Sequence, residues 1–526
     1  MNREEKGVPP WAWALFVAIG TALIFLPALR FPFFPFWDDD IHVHANPHLA
    51  SLSWSSVGAL WAGPWQQLYI PLTYSAWAGL AALSRWADGV PIASGALNAA
   101  WFHGANVLVH ALSAALAFQL LRRITGRFFA QATTGKINLA AAIGALFFAV
   151  HPLQVEPVAW ISGLRDVLGG CLGLASLVVL FGNNQPSVSR VIVATLLYVA
   201  SLAAKPAGVA LPLVAAVLAV MPFRWPWRRI FVVLGPWFFI GALWVLLTSR
   251  AQWAAELAVG LVPIWARPLV AADALGFYLA KTFAPFGLAA DYGRAPDAAL
   301  AAGWLWWMWT VPAALAAALV LFKPLRLYLV PYLVFAAALL PTLGLVPFNF
   351  QVVSTVADRY AYFALIGPAL ALCMIIVQAD RRWITALAAA CVAGLLWLTT
   401  QRLPLWSEDL KLFAATLETN PRSWKALHNY ASALDDRGRT AEGERLMRDV
   451  IARRPDSAEA YNDLAVMVWK LGRQREAADL MRRAVVIRPT PGSARNLAVM
   501  EATLGNTAGQ NEALQILQNL QQNPGP

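Results

Sequence analysis

The chain has 526 residues, 59% hydrophobic and only 13% charged, with a positive mean hydropathy. That balance excludes a soluble enzyme built on one core and points to a polytopic membrane protein. The formal charge of +11, from 40 Lys and Arg against 29 Asp and Glu, fits basic residues beside spans on the cytoplasmic side, and no nucleic-acid partner is inferred from it.

The first apolar segment, Trp11 to Leu29, is long enough to cross a bilayer. Met1 to Pro10 in front of it mixes acids and bases, and no small-residue cleavage site precedes Arg30, so a retained first span is expected. Phe36-Trp37-Asp38-Asp39-Asp40-Ile41-His42-Val43-His44-Ala45-Asn46-Pro47 follows closely. Three adjacent carboxylates repel one another and are costly to desolvate, so their pKa values should separate and one could act as a base. Cation coordination and plain solvation of a helix end are the other uses of such a run. His42 and His44 would add donors for a divalent metal, although His-x-His alone is a weak signal.

Further spans are expected at about 97–121, 138–152, 167–182, 190–203, 207–221, 229–247, 304–321, 327–346, 360–377 and 383–400. Basic clusters at Arg122, Arg123, Arg127 and Lys136, at Arg224, Arg228 and Arg229, at Lys323 and Arg326, and at Arg381 and Arg382 should face the cytoplasm. Leu269 to Phe286 fits this alternation poorly and suits a re-entrant or interfacial helix, and Leu72 to Trp86 suits an interfacial one. The total is about eleven spans, N-terminus inside and C-terminus outside. The cysteines Cys171, Cys373 and Cys391 all lie in apolar runs and imply no disulfide framework.

After Leu403 the composition becomes that of a soluble helical domain. Pro421, Pro455 and Pro489 recur every 34 residues, as do Gly438 and Gly472, Ala431 and Ala465, Glu442 and Glu476, and Leu446 and Leu480. That period is the signature of tetratricopeptide repeats, helix pairs that stack into a solenoid with a concave binding surface. The third copy weakens after Leu504, as a cap would, and a frayed tail is expected from Gln521 to Pro526. The fold class is therefore all-α, with a membrane helix bundle over residues 1–403 and a repeat solenoid over 404–526.

Polar residues gather at the ends that this topology places outside. Tyr69-Ile70-Pro71-Leu72-Thr73 lies in the acidic loop's own connection, and His103, Asn106 and His110 share one helix face. Such groups inside a span either hydrogen-bond neighbouring helices or line a cavity. His151-Pro152-Leu153-Gln154-Val155-Glu156-Pro157 precedes Ser162, Arg165 and Asp166. The Arg165 guanidinium suits a lipid phosphate, with an ion pair to Asp166 or Glu156 as the alternative. Lys205, between two apolar runs, suits phosphate or interfacial snorkelling. Asp358-Arg359-Tyr360 opens a further span.

The Trp-Asp-Asp loop with Asn46-Pro47, Tyr69 to Thr73, the His103, Asn106 and His110 helix, His151 to Asp166, Lys205-Pro206, Asp358-Arg359-Tyr360 and the repeats occur in an order that resembles the transmembrane and tetratricopeptide-repeat-containing (TMTC) proteins and their bacterial relatives. The likeness covers nearly the whole chain. Those proteins are similar to the protein O-mannosyltransferases, within the membrane-embedded GT-C glycosyltransferases.

The resemblance implies a GT-C-like bundle and transfer of a hexose, mannose among the choices, from a polyprenyl-phosphate sugar to a protein or glycan acceptor. The lipid-linked sugar is then the co-substrate, and the reaction faces the periplasm from a bacterial inner membrane. The base falls by match on Asp38 or Asp39, and Asp40 lies outside the pattern. Arg165, Lys205 and Arg359 are expected on the phosphate side, with His151, Glu156, Asp166, Tyr69 and His103 around the substrates. The repeats would dock an acceptor or another periplasmic protein. Two rivals are a non-catalytic scaffold whose repeats recruit periplasmic partners and a lipid-linked sugar transporter; the transporter would spread charge through the membrane depth, whereas here it clusters at one level.

Overall fold

The computed structural model describes residues 8–35, 37–44, 46–91, 95–182, 186–252 and 262–522. Phe36 and Ala45 of the acidic stretch, the start before Val8 and the tail beyond Gln522 lie outside the described residues. Among the described residues every regular element is a helix, apart from a single bridge between Trp65 and Leu68. The chain divides into two compact units, one of residues 1–288 and 294–408, the other of 289–293 and 409–526.

In the larger unit, seven helices among the described residues are long and apolar enough to cross a membrane. An eighth qualifies if Thr134–Val150 and Pro152–Ala159, bent by 51°, are one span. The apolar helices Val188–Ala204, Pro206–Val220 and Ile366–Ala379 are shorter than a full crossing. Pro10–Phe25, Ala99–Phe128, Thr134–Val150 and Leu164–Leu180 pack on one another, burying apolar side chains together with polar ones such as His103, Asn106, His110 and Asn138. Packing is tight where glycine permits it: a Cβ on Gly144 would meet the Cys373 sulfur, and one on Gly170 would meet the Tyr362 ring at 2.5 Å.

The segment from Leu269 is one continuous helix, Arg267–Phe283, and the first long connection folds into Trp54–Ala62 and Pro71–Asp88.

Two breaks at X-Pro pairs shape the unit. The residue before proline is driven from the α region to extended backbone, and both His151, at ψ 135, and Lys205, at φ −151 and ψ 125, obey this. Each side chain is thereby turned out of a helix end.

In the repeat unit, Trp424–Asp436 pairs with Thr440–Arg453, Ala458–Lys470 with Gln474–Ile487, and Pro491–Thr503 with Thr507–Gln522. The third pair is complete although its sequence pattern fades after Leu504. Gly438, Gly472 and Gly505 take φ of +77°, +86° and +72° at the turn within each pair, a conformation costly for any residue with a Cβ. Leu427, Ala431, Met447, Leu464, Ala465, Met481 and Leu497 form the core between pairs. Residues 289–293 belong here, with the buried Asp291 accepting from Ser423 Oγ and from the Gly293 N–H at 2.7 Å.

Candidate functional site

The acidic loop turns sharply at Asp38, whose φ of +105° is rare for a residue with a side chain. The turn sends neighbouring carboxylates to opposite environments. Asp38 stays open, its side chain 42% exposed, and its Oδ2 accepts from Arg165 Nη2 at 3.2 Å. Asp39 is fully buried. Its Oδ1 accepts from the Ser162 N–H at 3.0 Å and Ser162 Oγ at 2.6 Å, and its Oδ2 from the Phe34 N–H at 2.9 Å. Burial pushes its carboxyl up to about 7, while the Ser162 and Phe34 donors pull the other way. Asp40 accepts from the Ile41 N–H at 2.8 Å, with burial raising its carboxyl.

Arg165 is the centre of a chain of alternating charge. Besides Asp38 it faces Asp166, Nε to Oδ2 at 3.8 Å, and its guanidinium lies 4.9 Å from the Trp160 ring centre. Asp166 in turn receives the Lys205 ammonium. Lys205 therefore has an ion-pair partner 39 residues away in sequence. Beside this chain, Arg359 Nη1 meets Glu156 Oε1 at 2.5 Å and the Arg359 N–H meets Glu156 Oε2 at 3.1 Å, both side chains almost wholly buried. Rings of Phe350, Tyr360 and Trp160 surround the Arg359 guanidinium at 4.2, 5.0 and 5.6 Å. Three carboxylates, Asp38, Asp166 and Glu156, thus balance three cations, Arg165, Lys205 and Arg359.

Local structure explains the convergence. Thr73 Oγ1 donates to the Ala204 carbonyl at 2.9 Å and fixes the peptide before Lys205. Asn106 Nδ2 donates to the carbonyls of Trp160, at 2.6 Å, and Val158, at 3.3 Å, holding the turn that carries Trp160 and Ser162. Gly163 completes that turn, where a Cβ would lie 2.2 Å from the Pro157 carbonyl oxygen. Asp358 is engaged by Arg402 Nη2 at 2.7 Å.

A small cleft opens beside the cations. Asp166, Lys205, Arg359 and Tyr360 form its polar part, while Gly169, Gly170, Leu211, Ala338 and Phe363 form an apolar one. A phosphate with an apolar tail has the matching chemistry.

Other expected site residues stand apart from this cluster. His103 is fully buried with its edge toward the Phe31 ring, 6.1 Å between centres. His110 bonds the Ala149 carbonyl and the Tyr362 hydroxyl, each at 3.0 Å, and so ties its helix to two neighbours. His151 accepts from the Leu153 N–H at 3.2 Å and donates from Nε2 to the Thr282 carbonyl at 3.1 Å, which occupies both nitrogens. The Tyr69 hydroxyl donates to the Trp61 carbonyl at 3.0 Å. Ser162, Trp160 and Phe350, which the sequence did not single out as site residues, are brought in by the fold. Among the described residues no three His, Cys, Asp or Glu side chains are grouped to hold a metal ion.

Residues 428–494 match the model of a tetratricopeptide repeat family. No curated protein matches the chain. The repeats are consistent with binding another protein, the usual use of such solenoids.

Proposed function

We propose that the larger unit is a membrane glycosyltransferase of GT-C type. It moves a hexose from a polyprenyl-phosphate donor to a hydroxyl of a protein or glycan on the non-cytoplasmic side, the periplasm if the membrane is a bacterial inner membrane. The observation that carries the reading is the line of charge from Asp38 through Arg165 and Asp166 to Lys205, ending in a cleft with cations at one part and apolar walls at another. The three shorter apolar helices, counted with the eight longer candidates, would give the eleven spans expected from the sequence.

A lipid phosphodiester already contains its leaving group, so the protein has two tasks: to take the acceptor's proton and to stabilise charge on the departing phosphate. Asp38 suits the first, being the water-facing carboxylate of the Asp38-Asp39 pair and held by one guanidinium. Lys205 and Arg359 suit the second. At rest Asp166 and Glu156 neutralise them, and an entering phosphate would take over part of those contacts. Arg165 lies between the two tasks and would align acceptor and donor. Asp39 is a positioning residue, since its carboxylate joins the acidic loop to the Ser162 turn.

The test is transfer from a panel of radiolabelled undecaprenyl- and dolichyl-phosphate sugars to periplasmic protein, with purified protein in nanodiscs. Donor-dependent labelling is expected, and no labelling with any donor by folded protein would overturn the reading. A second reading, a scaffold recruiting partners, is favoured by the repeat match at 428–494. It predicts that deleting residues 404–526 abolishes the cellular phenotype while Asp38→Asn and Asp39→Asn leave it intact.

A further inference from the structure

Lys205 and Arg359 come to the cleft from distant parts of the chain, yet one side chain touches both. The Tyr360 ring lines the same cleft, with the Lys205 ammonium 5.3 Å and the Arg359 guanidinium 5.0 Å from its centre. Both separations lie within the range in which the negative face of an aromatic ring attracts a cation. The plane of the ring is set by two perpendicular neighbours, Phe348 at 5.8 Å and Phe350 at 6.3 Å between centres, each at 88°. Phe350 also lies 4.2 Å from the Arg359 guanidinium. Tyr360 thus has a fixed orientation where two like charges approach one another.

That placement meets a difficulty that the ion pairs create. At rest Asp166 holds the Lys205 ammonium and Glu156 holds the Arg359 guanidinium. A polyprenyl-phosphate sugar is a phosphodiester with one negative charge, so it competes with two carboxylates for the same cations. Two cations drawn toward one phosphate also repel each other. A further carboxylate between them would offset that repulsion but would repel the phosphate as well. An aromatic face attracts both cations while carrying no net charge, and leaves the phosphate's attraction undiminished.

We propose that Tyr360 is a positioning residue for the donor, its ring holding Lys205 and Arg359 side by side so that one lipid phosphate meets both. The inference rests on the transferase reading above, and it assigns the work to the ring and not to the phenol hydroxyl.

The test is a graded series at position 360 in the nanodisc transfer assay: Tyr360→Phe, then difluoro- and trifluorophenylalanine at the same position, then Tyr360→Leu. Fluorine drains negative charge from the ring face with little change of shape. Tyr360→Phe should keep kcat and donor KM within about twofold of wild type. Donor KM should climb with each fluorine and reach about tenfold in Tyr360→Leu, with kcat and acceptor KM nearly unchanged, as loss of uniform donor binding requires. A donor KM that stays flat from phenylalanine through its fluorinated forms would overturn the inference. So would a tenfold loss in Tyr360→Phe, which would place the work in the hydroxyl, or a series in which kcat, acceptor KM and thermal midpoint all worsen together, which would mark a packing role. In each of these outcomes the wild type still transfers sugar and the transferase reading stands. A wild type that moves sugar from no donor would remove both.

Discussion

The two units use charge in opposite ways. In the repeats, Arg448 and Glu476 meet at 2.5 Å across neighbouring pairs with side chains 44% and 40% exposed, and Lys470 meets Asp435 at 2.8 Å. In the larger unit, Glu156 and Arg359 meet at the same 2.5 Å with almost no exposure. Equal distance does not mean equal consequence. Water screens an exposed pair and solvates either partner left alone, whereas a buried ion deprived of its partner has neither. Exposed repeat charges such as Arg448 and Glu476 are therefore dispensable individually, unlike the buried Asp291, Asp409 and Glu501 of the same unit, and the buried cluster charges are retained at a cost to stability.

The largest test of this contrast is to remove one member of the buried pair. Glu156→Ala leaves the Arg359 guanidinium among Phe350, Tyr360 and Trp160 without a carboxylate, and should destabilise the larger unit by about 3–5 kcal/mol. Loss of helical signal on heating in nanodiscs reads this out, and a variant as stable as wild type would break the comparison. Gly163→Ala should cost about 1–3 kcal/mol by forcing a Cβ onto the Pro157 carbonyl. It should also lower transfer, because the adjacent Ser162 holds Asp39.

Asp39 sharpens the comparison through pH. Its carboxyl is raised from 3.8 to about 7, so the folded chain holds the proton more tightly than the unfolded chain does. The stabilising contribution is complete below about 4 and lost as pH rises through about 7. Wild type should lose stability over that window and Asp39→Asn should show a flatter profile, as thermal midpoints across pH 4 to 8 would reveal. A wild type that gains stability relative to Asp39→Asn over the window would contradict the assignment. The smallest effect is expected at Arg448→Ala, under about 1 kcal/mol on unfolding of the repeats and weaker still at high salt.

Much of the architecture was legible in the sequence. The 34-residue recurrence of Pro421, Pro455 and Pro489 located the helix pairs, because a turn glycine and a packed alanine must recur wherever an identical stacking unit does. The apolar runs located the seven described helices that are long and apolar enough to cross a membrane. Helix length was less legible: Leu329–Leu339 ends in a 3-10 turn at Pro341, where a hydropathy window runs on. The components of the site were legible as residue types, whereas their pairing was not. Lys205 finds Asp166 and Glu156 finds Arg359 across 39 and 203 residues, a distance that only tertiary structure closes. The unequal fates of Asp38 and Asp39 were equally hidden, since one positive φ turns one carboxylate to water and the other into the protein. His151 and His103 belonged to the apparent cluster by sequence, whereas in the fold His151 is tied to the Thr282 carbonyl and His103 lies against the Phe31 ring.

That division between neighbouring carboxylates is the central claim, and side-by-side transfer assays of Asp38→Asn and Asp39→Asn in nanodiscs test it most directly. Asp38→Asn should lower kcat by about 10²–10⁴ with donor binding retained, as expected on loss of a general base. Asp39→Asn should keep a measurable rate with an altered pH profile. Equal rates in Asp38→Asn and wild type, or complete loss confined to Asp39→Asn, would contradict the account.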